Sequence, residues 1–267
     1  PFSANLGGTI KVNGSLGNEV VFQGDRLDGW YNDSPGQWDR IWLMPGSKNN
    51  IFDYAIIKEG TIGIHADTIV NSNPTAIVNN CIIENMSAIG ILGQEAKLDV
   101  NNTVVSNCGQ YTLVCNIGGD YNFTHCTFAN FWDLGTRNTP SVLLNNYYED
   151  ADGILHIRDL NNVHFTNCII DGDLTTEIEY QENSSGIFNY TFDHCLITID
   201  PNINTNTTNY INIIKNESPD FEDKSTRDFH LTENSPCINS GTNTSISDDI
   251  EGNTRNNPDL GAYEFVD

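Results

Sequence analysis

Lysine and arginine are scarce: 12 of them face 36 aspartates and glutamates, a formal net charge of −24 over 267 residues. Long-range repulsion opposes an encounter with nucleic acid or an anionic membrane surface, so neither is expected as a partner. Long apolar runs are missing too. No stretch approaches the roughly 18 apolar residues of a membrane span, and residues 1–25 lack a basic segment followed by an apolar one. Pro1-Phe2-Ser3-Ala4-Asn5 reads as the middle of a longer sequence, and a processed or truncated chain is expected. The seven cysteines include no C-x-x-C pair and no zinc-like spacing, and their odd number leaves at least one thiol unpaired within the chain. Helical periodicity is also absent, because no window sustains apolar residues at i, i+3, i+4 and i+7.

Asparagine is plentiful. Its 37 residues are spread evenly, as a structural position used once per repeat would be. Six segments align: Phe52-Asp53-Tyr54-Ala55-Ile56-Ile57, Val78-Asn79-Asn80-Cys81-Ile82-Ile83, Val100-Asn101-Asn102-Thr103-Val104-Val105, Phe123-Thr124-His125-Cys126-Thr127-Phe128, Phe165-Thr166-Asn167-Cys168-Ile169-Ile170 and Phe192-Asp193-His194-Cys195-Leu196-Ile197. Their first residues lie 26, 22, 23, 42 and 27 apart. Each unit reads as a strand, a sharp polar corner, a small residue and a second strand. Asn, Asp and His suit such a corner because they tolerate the left-handed backbone region, and stacked Asn side chains can bond from rung to rung. The small position is Ala55, Cys81, Thr103, Cys126, Cys168 and Cys195. Four of the seven cysteines thus fall in one column and read as buried filler, not nucleophiles.

A further strand follows each unit: Thr61-Ile62-Gly63-Ile64-His65, Ala88 to Leu92, Tyr111 to Cys115, Ile154-Leu155-His156-Ile157-Arg158 and Glu177-Ile178-Glu179-Tyr180. Three short strands per turn predict an all-β, single-stranded, right-handed parallel β-helix. One domain is expected. Residues 1–50 form its opening rungs and a Trp-rich loop, and 51–218 its regular rungs, with a looped-out insertion or degenerate rung near 129–162. Residues 219–267 form a C-terminal cap against edge-to-edge aggregation.

Four outward residues are the candidates for acid–base work. Alternation puts His156 and Arg158 on the outer side of one strand, and Glu177 and Glu179 on the outer side of another. Asp171 and Asp173 are the candidate metal ligands. No cofactor is required, and Ca²⁺ is the ion these carboxylates would hold. Trp30, Trp38 and Trp42 are the candidate sugar-stacking platform, against packing of the opening rungs. Asp248, Asp249, Glu251 and Asp259 with Arg255 read as a hydrogen-bonded cap in which Gly252 permits a turn.

The last segment carries a resemblance. Asp228-Phe229-His230-Leu231, Ser235-Pro236-Cys237-Ile238-Asn239-Ser240-Gly241, Asp249-Ile250-Glu251-Gly252-Asn253-Thr254-Arg255 and Pro258-Asp259-Leu260-Gly261-Ala262-Tyr263-Glu264 resemble the ending of many secreted bacterial right-handed β-helix repeat proteins. Val20 to Arg26 and Gly36 to Ser47 look like their first rungs. The chain departs from the pattern at Asn239 and Glu251, where Asp is more usual. The resemblance implies a pectate-lyase-like solenoid, exported and often lipid-anchored at the surface of Gram-negative bacteria, near polysaccharide-handling systems. It implies no single reaction. The expected role is binding or scaffolding around polysaccharide at the cell surface; the alternative is a polysaccharide lyase or glycoside hydrolase acting on the 156–179 face.

Overall fold

The computed structural model describes residues 2–26, 28–29, 31, 33–67 and 73–266, and every regular element among them is a strand. No described segment is a helix long and apolar enough to cross a membrane. Short strands follow one another around three faces. The first carries Phe2–Ala4, Trp38–Leu43, Gly60–Ala66, the leading halves of Ile89–Asn101 and Tyr111–Thr124, then Val142–Asn145 and Ile178–Gln181. The second carries Lys11–Asn13, Asn50–Asp53, Ala76–Asn79, the trailing halves of the two long strands, Leu160–Thr166, Thr191–Asp193 and Tyr210–Ile211. The third runs from Val20–Phe22 through Ala55–Lys58, Ile82–Met86, Val104–Cys108, Thr127–Asn130, Ile169–Gly172 and Leu196–Ile197 to Ile214–Lys215. Pairing between rungs is parallel: Val78 lies opposite Val100, Val100 opposite Phe123, and Phe123 opposite Phe165. The chain is a right-handed parallel β-helix, with the hand that right-twisted parallel strands impose on their connections.

The repeat read in the sequence straddles the corner from the second face to the third. Tyr54, Asn80, Asn102, His125, Asn167, His194 and Asn212 all turn there in the left-handed region, with φ between 45° and 53°. Only the second polar residue of each unit is left-handed. Its side chain then bonds across rungs, as in Asn102 Nδ2 to Asn80 Oδ1 at 3.2 Å and Asn167 Nδ2 to His125 Nε2 at 3.0 Å. Inside the corner, the residue that opens each repeat stacks on its copies. Ring centroids are 4.8 Å apart for both Phe123–Phe165 and Phe165–Phe192, the spacing of neighbouring strands.

All seven cysteines are free and buried. Those of the small column do more than fill space. The N–H of Ala55 donates to Cys81 Sγ at 3.4 Å, that of Cys126 to Cys168 Sγ at 3.4 Å, and that of Cys168 to Cys195 Sγ at 3.4 Å; Thr103 Oγ1 stands 3.5 Å from the Cys81 N–H. The small side chain of one rung accepts the corner N–H of the rung before. Burial pushes the Cys81 and Cys108 thiols up to about 12, away from nucleophilic use.

Two expectations are corrected. Of the two readings of the long interval, the structure has looped-out segments and no extra rung. Val142–Asn145 is the regular first-face strand, flanked by loops at 131–140 and 146–159. The strand expected at 154–158 is instead Leu155–Ile157, antiparallel to Tyr147–Glu149 in a hairpin outside the helix. Its period-two pattern is real, but its partner is local. Lastly, the C-terminal segment lies along the outside of the third face. Phe221, Phe229, Leu231, Leu260 and Ala262 form a second core there with the outward Val104, Ala129, Ile169 and Leu196. Pairs such as Val104-Val105 and Ile169-Ile170 are apolar on both sides because that sheet is covered on both sides. Within this segment Gly252 makes its left-handed turn at φ 84°, and Arg255 pairs with Glu264 beside the Asn102 amide, 3.1 Å away.

Candidate functional site

The corner from the third face back to the first starts like its neighbour. Glu59, Asn85 and Asn107 turn left-handed at φ 66°, 56° and 47°. Asn85 Nδ2 donates to the Asp33 backbone oxygen at 2.7 Å and to Asp33 Oδ1 at 3.2 Å, and Asn107 Nδ2 donates to Asn85 Oδ1 at 3.2 Å. One rung later the ladder stops. Asn130 turns inward, its Oδ1 accepting the Cys108 N–H at 2.9 Å and its Nδ2 donating to the Gln110 carbonyl at 3.1 Å. Asn107 Oδ1 is left buried with no partner, in a residue only 6% exposed. Such a group is costly unless something donates to it.

A cleft of about 590 Å³ opens over this break, with Asn85 and Asn107 in its lining. One wall is the 131–134 loop with Trp132 and Asp133; the others are Asp33, the corner at Gly172-Asp173, and the turn that carries Lys224 and Arg227. Trp132 rests on the bare corner at Gly109, where a Cβ would stand 2.3 Å from the Ser87 carbonyl oxygen and 3.4 Å from the indole ring. Phe131 next to it is held from outside, its ring stacked on Phe229 at 6.4 Å with the Lys224 ammonium 4.6 Å above.

The loop is anchored by a buried ion pair. Arg137 donates to both carboxylate oxygens of Glu177, at 2.6 and 2.8 Å, and to the carbonyls of Asn130 and Thr139. The same carboxylate accepts the N–H of Ser141 at 2.7 Å and of Leu174 at 2.8 Å. Gly172 makes room for it, since a Cβ would meet Glu177 Oε1 at 2.3 Å. On the far wall Arg227 bonds Asp33 and lies 3.6 Å from Glu84. Burial holds the Glu84 carboxyl above its usual range, opposed by the Arg227 charge. Asp173 is likewise raised, by desolvation first, with Arg137 pulling the other way.

The structure separates the residues expected to act together. His156 and Arg158 sit on or beside the hairpin. His156 Nε2 is 2.6 Å from Asp150 Oδ2 and its ring stacks on Tyr148 at 4.7 Å, while Arg158 faces Glu95 at 3.7 Å. Glu179 is on the outer side of the first face, accepting from Gln181 Nε2 at 2.8 Å. Glu177, expected beside it, is fully buried under the 131–140 loop. It precedes the strand, so alternation does not govern its direction. Asp171 accepts from Thr198 Oγ1 at 2.7 Å and has Lys224 Nζ at 4.0 Å, where a metal ion would compete with the ammonium. Asp173 lies past the corner in the cleft. Among the described residues no three His, Cys, Asp or Glu side chains are gathered as a metal site.

The tryptophans expected as a platform are engaged internally where they are described. Trp38 Nε1 donates to the Lys58 carbonyl at 2.8 Å, and Trp42 Nε1 to Asp67 Oδ2 at 2.6 Å with its ring stacked on His65. Trp30 lies outside the described residues. Trp132, the fourth tryptophan, was not singled out by the sequence, and its indole N–H has no partner among the described residues. The run Asn130-Phe131-Trp132-Asp133, which interrupts the repeat directly after a strand, was the available signal.

No family model and no curated protein matches the chain. Among solved structures, the crystal structure of pectate lyase Pel9A aligns with 99% of this chain and 84% of its own, at 14% identity and a TM-score of 0.40. That likeness is too loose to add to what the strands themselves say.

Proposed function

We propose that this chain binds polysaccharide and takes a segment of it in the cleft beside Trp132. The observation that carries the reading is a cleft of about 590 Å³ lined both by Trp132, whose indole N–H has no partner among the described residues, and by Asn107, whose Oδ1 is buried and unpaired. A sugar ring presents an apolar C–H face and a rim of hydroxyls. The indole suits the first and the amide oxygen and carboxylates suit the second. Solenoid walls also suit a polymer, because the rungs beyond the cleft offer a further run of polar side chains. The sequence resemblance places such proteins outside the cell, and export to the surface belongs to this proposal.

Binding is favoured over eliminative cleavage because the basic side chains in the cleft already have partners: Arg227 holds Asp33, and Lys224 lies beside Asp171 and over Phe131. An ion pair keeps a guanidinium or ammonium protonated, and a protonated group cannot take the proton that β-elimination removes. The test is calorimetry with a panel of neutral, acidic and amino oligosaccharides, with product analysis of the same mixtures. Binding of at least one class should weaken about tenfold in Trp132→Ala, equivalent to about 1.4 kcal/mol. The reading is overturned if the panel fails to bind, or if Trp132→Ala binds as the parent does.

A further inference from the structure

We infer that the saccharide preferred by this cleft carries a protonated amine, as in a polymer of non-acetylated hexosamine, and that uronate polymers are disfavoured. This rests on the reading that the cleft binds saccharide, and it specifies the class.

The first observation is which charges are left over. Arg227 is taken by Asp33 and Glu84, and Lys224 by Asp171 and the Phe131 ring. Asp133 and Asp173 line the same cleft and have no ion pair among the described residues. A uronate placed here would meet two carboxylates outside any ion pair, on a chain whose net charge is −24. An ammonium would neutralise them.

The second observation is independent of charge and comes from the broken ladder. Asn85 uses its amide N–H groups on the Asp33 oxygens, which leaves Asn85 Oδ1 as an acceptor and obliges Asn107 to present Nδ2 to it. The orientation of Asn107 is therefore fixed by its neighbours, and its Oδ1 can only accept. With the carboxylates of Asp133 and Asp173, this puts three acceptor groups in the lining, beside the unpaired donors Trp132 Nε1–H and Arg227 Nη1. An ammonium is donor-only, with three N–H bonds to give. Trp132 adds a π face that attracts a cation, where a carboxylate would be repelled by it.

The experiment compares a glucosamine tetramer, its fully N-acetylated counterpart and a galacturonate tetramer, at a mildly acidic pH where the amine is protonated and carboxylates are ionised. The amine form should bind at least about tenfold more tightly than the acetylated form, with the uronate weakest, and added salt should erode the difference. Asp133→Asn and Asp173→Asn, both exposed and so tolerated by the fold, should each remove most of that preference while leaving the acetylated tetramer's binding within about twofold. Equal binding of amine and acetylated tetramers, or a preference for the uronate, overturns the inference and leaves the saccharide reading standing. So does a preference that survives both substitutions. If none of the three tetramers and no neutral oligosaccharide binds, both fall together.

Discussion

The two corners that flank the third face use the same device and end in different states. At the corner from the second face, the left-handed residues continue without a break from Tyr54 to Asn212, and the C-terminal segment closes the row. Asn102 Nδ2 also donates to the Asp248 carbonyl at 2.8 Å, and Asn167 exchanges bonds of 2.7 and 2.8 Å with Thr242. At the corner toward the first face, the row stops at Asn107, a loop leaves the helix, and an acceptor is unpaired. Repeated polar residues are structural wherever each rung satisfies the one before. Where the repeat is interrupted, an unpaired acceptor coincides with a cleft, whereas the unpaired His125 Nδ1 and Arg255 Nε of the closed corner lie under the C-terminal segment.

The most disruptive way to test the contrast is to remove the anchor of the interrupting loop. Glu177→Ala leaves Arg137 buried without its partner and takes the acceptor from two backbone N–H groups, so it should cost about 3–5 kcal/mol, read from the urea midpoint. Glu179→Ala, on the outer, half-buried side of its strand, should stay within about 0.5 kcal/mol. Equal effects would mean that the buried pair does not hold the loop.

The closed corner should be sensitive to acid. Burial, assisted by the Arg255 charge, lowers the His125 pKa from 6.5 to about 3. Above the unfolded value the imidazole is neutral in both states and stability is complete. As pH falls below 6.5 the unfolded chain takes up a proton that the folded chain refuses. Stability then declines by up to about 1.4 kcal/mol per pH unit, levelling near the folded pKa. His125→Asn places there the residue found at Asn80, Asn102 and Asn167, and should flatten this part of the pH–stability curve. An unchanged slope would show that other groups cause the acid loss.

The closed corner was legible in the sequence and the open one was not, for a physical reason. A left-handed φ restricts residue choice at one position whatever the tertiary context, and the closed corner repeats that position from Tyr54 to Asn212, whereas the open corner carries it only at Glu59, Asn85 and Asn107 before the row ends. Tyr54 is the exception, identified only by its place in the alignment. The hairpin at 147–157 shows the limit of alternation, which reports a half-buried strand and not its partner. Glu177 shows another, since its partner Arg137 lies 40 residues away on a loop. The cleft is harder still. Asp33, Asn107, Trp132, Asp173 and Arg227 meet only once the rungs are stacked and the C-terminal segment is laid over the third face. The doubly apolar pairs Ile82-Ile83, Val104-Val105 and Leu196-Ile197 did carry one unused clue, that the third sheet is covered on its outer side.

The small column inside the closed corner gives a more moderate effect. Cys168→Ala takes the acceptor from the Cys126 N–H and should cost about 1–2 kcal/mol. Cys168→Ser should recover part of this, because the Thr103 hydroxyl already stands in the equivalent place. If serine and alanine cost the same, packing volume and not hydrogen bonding sets the residue at this position.

The finest comparison sets Asn102→Ala against Asn107→Ala. Both residues turn at nearly the same φ, 45° and 47°, so the cost of alanine in the left-handed region is shared and cancels between them. What remains is the bonding. Asn102 donates to Asn80 and the Asp248 carbonyl and accepts from Arg255, whereas Asn107 makes one bond, to Asn85. Asn102→Ala should therefore be the more destabilising by about 1–2 kcal/mol, with its effect on saccharide binding negligible. Asn107→Ala should cost less stability and weaken the ligand, because it deletes the free acceptor at the end of the ladder. If the two variants fall in the opposite order, or if only Asn102→Ala weakens binding, the interrupted corner is not where the ligand sits.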